Sequence, residues 1–172
     1  DRRDARMFSQ LVDIFKLRIG LFMALTALAG YAVTPGVALG SAQLALLALV
    51  VFGASAAAGA FNQFAERDLD ARMPRTKHRP FVTGAVGHGA GWLWSIGALL
   101  VVSMAAGAWL FNAAVAVYLF LGAFFYGVVY TLWLKRRTPL NIVVGGASGS
   151  FAILAGAAAA EALAMIDRGS VT

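Results

Sequence analysis

Five stretches of this chain carry no charged side chain: Ile19 to Val33 or Leu39, Leu44 to Phe64, Gly91 to Phe111, Ala113 to Leu134 and Ile142 to Ala160. About 20 apolar residues in a helix match the hydrocarbon thickness of a bilayer. A chain of 172 residues, 60% hydrophobic and 13% charged, has too little polar surface to fold in water around so much apolar material. The sequence therefore predicts an all-α, multi-pass transmembrane bundle with five spans. Thr34-Pro35-Gly36 supplies a turn after the first span, and Asn112 marks a tight turn between the third and fourth. Residues 1–18 read as a basic, amphipathic surface segment, 19–166 as the bundle with a polar loop over 65–89, and 167–172 as an end beyond the membrane.

The charges orient this bundle. Of fourteen Lys and Arg, five precede the first span, five fall between the second and third, and three between the fourth and fifth. Arg168 alone lies on the other side. Basic residues accumulate on the cytoplasmic face, so the N-terminus and both basic loops are expected there. The net charge of +6 thus reflects topology and anionic headgroups, not nucleic acid. Cysteine is absent, which removes thiolate chemistry and Cys-ligated metals. The chain begins at Asp1 and ends after an odd number of spans, so it is expected to be part of a longer protein.

The polar loop holds the densest chemistry. Asn62, Glu66 and Asp70 are spaced i, i+4, i+8, so on a continuing helix they form a ladder on one face. Asp68 points elsewhere. The ladder stands at the C-terminal end of the second span, where the helix dipole disfavours carboxylates. Like charges stacked there need a cation, and magnesium takes oxygen ligands through one or two carboxylates plus phosphates and water. Beyond Pro74, Arg75, Lys77 and Arg79 alternate along a segment expected to be extended, from which they could reach a polyphosphate. The competing reading is a solvated loop whose acids pair with Arg67 or Arg72.

From Asn62 to Pro80 the chain resembles the first aspartate-rich motif of the UbiA superfamily of intramembrane prenyltransferases. Asp70-Ala71-Arg72-Met73-Pro74-Arg75-Thr76-Lys77-His78-Arg79-Pro80 looks most like the protoheme IX farnesyltransferases, or heme O synthases. Lys16-Leu17-Arg18-Ile19, Leu25 to Gly30, Tyr130 to Pro139 and Asn141 to Gly149 resemble that family in order and spacing. Glu66 stands where many relatives carry Asp, and Leu17 where proline is usual. The resemblance implies a nine-helix bundle with a cavity open to lipid and two acidic motifs, the second in a C-terminal half that this sequence lacks. It implies that Asn62, Glu66 and Asp70, with Asp68 as a weaker candidate, bind Mg2+ and act in catalysis. Arg75, Lys77 and Arg79, joined by Arg18 and Lys135, would contact the diphosphate. The implied reaction moves a farnesyl group from farnesyl diphosphate to heme B in the bacterial inner membrane. The alternatives are another prenyltransferase of the quinone or chlorophyll pathways, or a non-catalytic subunit docking with oxidase-assembly partners.

Other residues are read more plainly. Phe61, Phe64, Tyr126 and Tyr130 are at the right depth to stabilise an allylic cation, although packing or interfacial anchoring is the commoner role. Trp92, Trp94 and Trp109 are placed as interfacial anchors. Glu161 falls about 29 Å beyond Ile142 at ~1.5 Å per residue, so it is expected at the far headgroup surface. His78 and His88 read as ordinary loop histidines, and Gly145 and Gly149 as a small-residue pair for close helix packing.

Overall fold

The computed structural model describes residues 9–36, 38–134 and 141–169, and among them every regular element is helical. A helical stretch over residues 9–14 leads to α1 (Leu17–Val33) and α2 (Ser41–Ala65). Two single-turn helices follow, α3 (Arg67–Asp70) and α4 (Pro80–Thr83). Then come α5 (Ala90–Leu110), α6 (Ala113–Phe124) continuing directly as a π-helix (Phe125–Leu134), and α7 (Asn141–Gly169). Among the described residues, α2, α5 and the stretch Ala113–Trp133 are long and apolar enough to cross a membrane, and α1 is apolar but shorter.

Helix α2 is the axis of the bundle. It packs against α1, α5, α6, the π-helix and α7. Leu47, Val50, Val51 and Ala54 meet Val115 and Leu119 of α6 and Ala152 and Ala155 of α7 in one buried cluster. Toward its C-terminus the buried positions turn to Ala56, Ala57, Ala58, Gly59 and Ala60, whose small side chains let neighbouring backbones close in. The outer surface has the opposite character. Phe22, Trp94 and Trp109 are 65%, 81% and 86% exposed, as suits side chains that meet lipid.

Helices α1 and α7 form the tightest seam. A Cβ added to Gly156 would lie 1.8 Å from the Ala27 carbonyl oxygen, and one on Gly30 would lie 2.3 Å from that of Ile153. Only hydrogen fits at these crossings. Of the expected pair, Gly145 lets α7 close on the π-helix, since a Cβ there would stand 2.9 Å from the Tyr130 ring, while one on Gly149 would meet Met23 at an ordinary 3.7 Å; both glycines also line a cavity. The turn at Asn112 is pinned twice. Its side chain accepts from Val115 N at 2.9 Å, capping α6, and donates to the Ala158 carbonyl of α7 at 2.8 Å.

At the other end of the bundle, rings collect around Phe81. Phe64, His88 and Trp92 meet it edge-on at 5.7, 5.9 and 5.3 Å between centroids. Trp92 also contacts Phe15 and is half-buried, so it packs inward while Trp94 and Trp109 stay exposed. Glu161 is exposed, and α7 runs on past it to Gly169.

Candidate diphosphate and metal site

The ladder survives a break in its helix. Helix α2 ends at Ala65, and Glu66 takes φ −98° and ψ 9°, outside the helical well. Glu66 N still bonds Asn62 O at 3.0 Å and Asp70 N bonds Glu66 O at 2.8 Å, so the four-residue spacing carries through into α3. Asn62, Glu66 and Asp70 are 2%, 1% and 1% exposed. Asp68, half a turn away, is exposed on the outside of α3. Burying two carboxylates and an amide costs several kcal/mol unless partners compensate.

Those partners come from three directions. Arg79 Nη1 lies 2.5 Å from Asp70 Oδ2. Lys16 Nζ donates to Asn62 Oδ1 and, at 3.1 Å, to the Tyr126 hydroxyl. Asn62 Nδ2 donates to Thr131 Oγ1 at 2.9 Å, and Thr131 donates to the Tyr126 carbonyl at 2.8 Å. That last bond spans five residues, the repeat of the π-helix that carries both. Gln63 Nε2 donates to the Asp13 carbonyl and ties the segment before α1 to the same end of α2.

The basic segment after Pro74 is not extended. Thr76 N and Lys77 N bond Met73 O at 3.1 and 3.0 Å, and Arg79 N bonds Thr76 O at 3.0 Å. These successive turns wrap the chain back over the ladder. Thr76 is buried and donates to the Asp70 carbonyl at 3.0 Å, which draws Arg79 onto the Asp70 carboxylate. Arg75 and Lys77 project as exposed cations from the outer side of the turns. Arg18 is exposed at the start of α1, and Lys135 lies outside the described residues.

A cavity of about 210 Å³ lies within the bundle and reaches Lys16, the partner of Asn62. Its walls are mostly small or apolar, among them Met23, Ala54, Gly122, Gly149 and Phe151, with Lys16 and Tyr126 at the polar end. Of the four rings placed at this depth from sequence, Tyr126 lines the cavity and stacks on Tyr130 at 5.4 Å. Phe61 packs against Gly127, where an added Cβ would stand 3.2 Å from its ring. Phe64 turns the other way, stacked at 3.9 Å on His88, whose Nε2 is 3.0 Å from the Phe64 carbonyl. His88 thus serves the end of α2 as a cap and a ring partner.

Lys16 and Thr131 are the site residues that sequence reasoning missed. Lys16 enters because its backbone is left-handed (φ 47°, ψ 48°), and no local pattern announces that conformation. A chemical test of the donor set favours a divalent cation. Two carboxylates and an amide oxygen, buried on consecutive turns, are the hard oxygen donors that magnesium takes. Among the described residues no three Asp, Glu, His or Cys side chains gather to cage a metal alone. A cation held here would complete its shell with substrate oxygens and water.

Comparison with known proteins places the chain in a family. Residues 23–167 match the UbiA prenyltransferase family. Protoheme IX farnesyltransferase 2 of Paramagnetospirillum magneticum is 55% identical over 87% of this chain and 52% of its own length. Protoheme IX farnesyltransferase 1 of the same organism is 45% identical over 90% of this chain and 54% of its own. The protoheme IX farnesyltransferase of Granulibacter bethesdensis is 40% identical over 86% and 46%. The chain therefore spans about half the length of the curated relatives it matches. In three dimensions it superposes on a UbiA homolog from Archaeoglobus fulgidus, solved bound to DMAPP and Mg2+, with a TM-score of 0.72 at 18% identity, covering 88% of this chain and 54% of that one. With a helical bundle and a family match over residues 23–167, this chain belongs to the UbiA prenyltransferase family.

Proposed function

We propose that this chain supplies the first acidic motif and half the cavity wall of a membrane enzyme that transfers a farnesyl group from farnesyl diphosphate to heme B. One observation carries the reading: three oxygen-bearing side chains are buried at successive turns with Lys16 on Asn62 and Arg79 on Asp70, and Lys16 also lines an apolar cavity. The names of the relatives support the choice of donor and acceptor. The bound DMAPP and Mg2+ of the archaeal neighbour support a metal-assisted diphosphate site.

Transfer requires heterolysis of the allylic C–O bond, with the electron pair leaving on the diphosphate. Asn62, Glu66 and Asp70 would hold magnesium, with exposed Asp68 at most a contributor through water. When bound, the metal neutralises charge on the leaving diphosphate. Arg79 stands beside Asp70, and Arg75 and Lys77 on the outer turns add positive potential for an incoming polyanion. Arg18, exposed at the start of α1, and Lys135 in the second basic loop would extend that field. The Tyr126 ring on the cavity wall offers a negative face to the allylic cation. The heme vinyl group would then attack that carbon, and water would capture the resulting cation and release a proton to solvent, leaving a hydroxyethylfarnesyl side chain. The basic loops and the ladder would face the cytoplasm, where the diphosphate donor is soluble.

Membranes carrying the full-length protein, supplied with heme B, farnesyl diphosphate and magnesium, are expected to yield a heavier, more apolar heme by liquid chromatography and mass spectrometry. Asp70→Asn should lower that yield by roughly 10²-fold, the scale on which single charge-stabilising groups act. Unchanged turnover would remove the ladder from the mechanism. Prenylation of an aromatic quinone precursor instead of heme would reassign the acceptor alone.

A further inference from the structure

The ladder is already neutralised without a metal. Glu66 and Asp70 bring two negative charges, and Lys16 and Arg79 bring two positive charges to its two ends. Lys16 is not there by accident of a long side chain. Its left-handed backbone is costly for a residue with a Cβ, and such conformations persist only where their surroundings enforce them. Gly59 on α2 makes the room: a Cβ there would press on Lys16 Cβ at 3.2 Å and the Phe15 carbonyl at 3.3 Å. Gly59 and Asn62 are three residues apart on one helix face, so the stem of Lys16 crosses the glycine and its ammonium lands on the amide. There it also meets the Tyr126 hydroxyl and lies 5.6 Å from the centre of that ring.

We propose that Lys16 and Arg79 are resident counter-ions that occupy the two ends of the ladder until a divalent cation and a diphosphate arrive together. This rests on the ladder being the metal site. A divalent cation entering alone would add two positive charges to a cluster already at balance and would compete with Lys16 for the Asn62 oxygen. A diphosphate entering alone would meet two cations still engaged by the ladder. When both enter, the metal takes over the ladder oxygens and the released ammonium and guanidinium turn to the diphosphate. Joint entry leaves the site nearer to charge balance than either ligand does alone. Metal and diphosphate are therefore cooperative ligands, and Lys16 is a residue through which they are coupled.

The test is a binding experiment on the full-length protein in lipid nanodiscs, with Mn2+ as the metal and inorganic pyrophosphate as the anion, followed by paramagnetic resonance of free Mn2+. In the wild type, pyrophosphate should tighten Mn2+ binding by about 5- to 150-fold, the ordinary range for coupled sites. Lys16→Met should tighten Mn2+ binding in the absence of pyrophosphate and shrink the coupling several-fold. Arg79→Gln should do the same from the other end, and Lys16→Arg should keep the wild-type coupling. Since Arg79 can be replaced without touching the kink at Lys16, a fold defect in one variant leaves the other to decide. Weaker or unchanged Mn2+ binding in both neutral variants would overturn the counter-ion role. Failure of the underlying site reads differently: Asp70→Asn would then leave Mn2+ binding untouched.

Discussion

The two ends of helix α2's neighbourhood are built on opposite rules. At the α1–α7 seam, specificity comes from absence: Gly30 and Gly156 leave room for carbonyl groups of the facing helix. At the ladder, specificity comes from surplus: Asn62, Glu66 and Asp70 are buried polar groups that must each be answered by a partner. A seam of this kind tolerates almost no added atom, because packed backbone cannot shift cheaply. A ladder of this kind tolerates isosteric changes of shape and fails through charge. The chain thus keeps its tightest backbone packing and its buried polar ladder in different places, joined by α2.

That contrast can be broken or sharpened in four steps. Gly156→Val should have the largest effect, since its Cβ would fall 1.8 Å from the Ala27 oxygen. A loss of about 3 kcal/mol or more is expected, read as a collapse of monodisperse protein in detergent chromatography. Glu66→Gln should leave the thermal midpoint within a few degrees but weaken Mn2+ binding in the presence of pyrophosphate by about tenfold or more, as expected for removing one close charge. A Glu66→Gln protein that melted early with metal binding intact would erase the distinction between the two regions. His88→Ala removes the stack on Phe64 and its carbonyl contact, so it should cost about 1 kcal/mol in thermal unfolding with Mn2+ affinity little changed. Asp68→Asn should do least, shifting Mn2+ affinity by less than about twofold because an exposed charge is screened.

Much of this was legible in the residue order. The spans follow from uncharged runs, and the ladder from a four-residue spacing that held even where Glu66 left the helical well. The basic cluster was found but its shape was not: Met73, Thr76 and Arg79 close turns where an extended strip was expected, because Thr76 can bond the Asp70 carbonyl only after the chain has folded back. From residue order Trp92 reads as an interfacial anchor at a span end, and Phe64 as a ring at cavity depth or in packing. The loop bearing Phe81 and His88 draws both into a ring cluster, and no periodicity encodes that loop's path.

Hydropathy and helical spacing are properties of neighbours in the chain, so the sequence by itself determined the membrane class, the order of the helices and the face on which Asn62, Glu66 and Asp70 stand. Which cations answer that face was decided only in three dimensions. Lys16 and Arg79 reach it across separations of 46 and 9 residues, one through a left-handed kink over Gly59 and the other through a run of turns. Pairings of that kind depend on where separate backbones come to rest against each other, and that placement is set by packing that no single stretch of sequence contains.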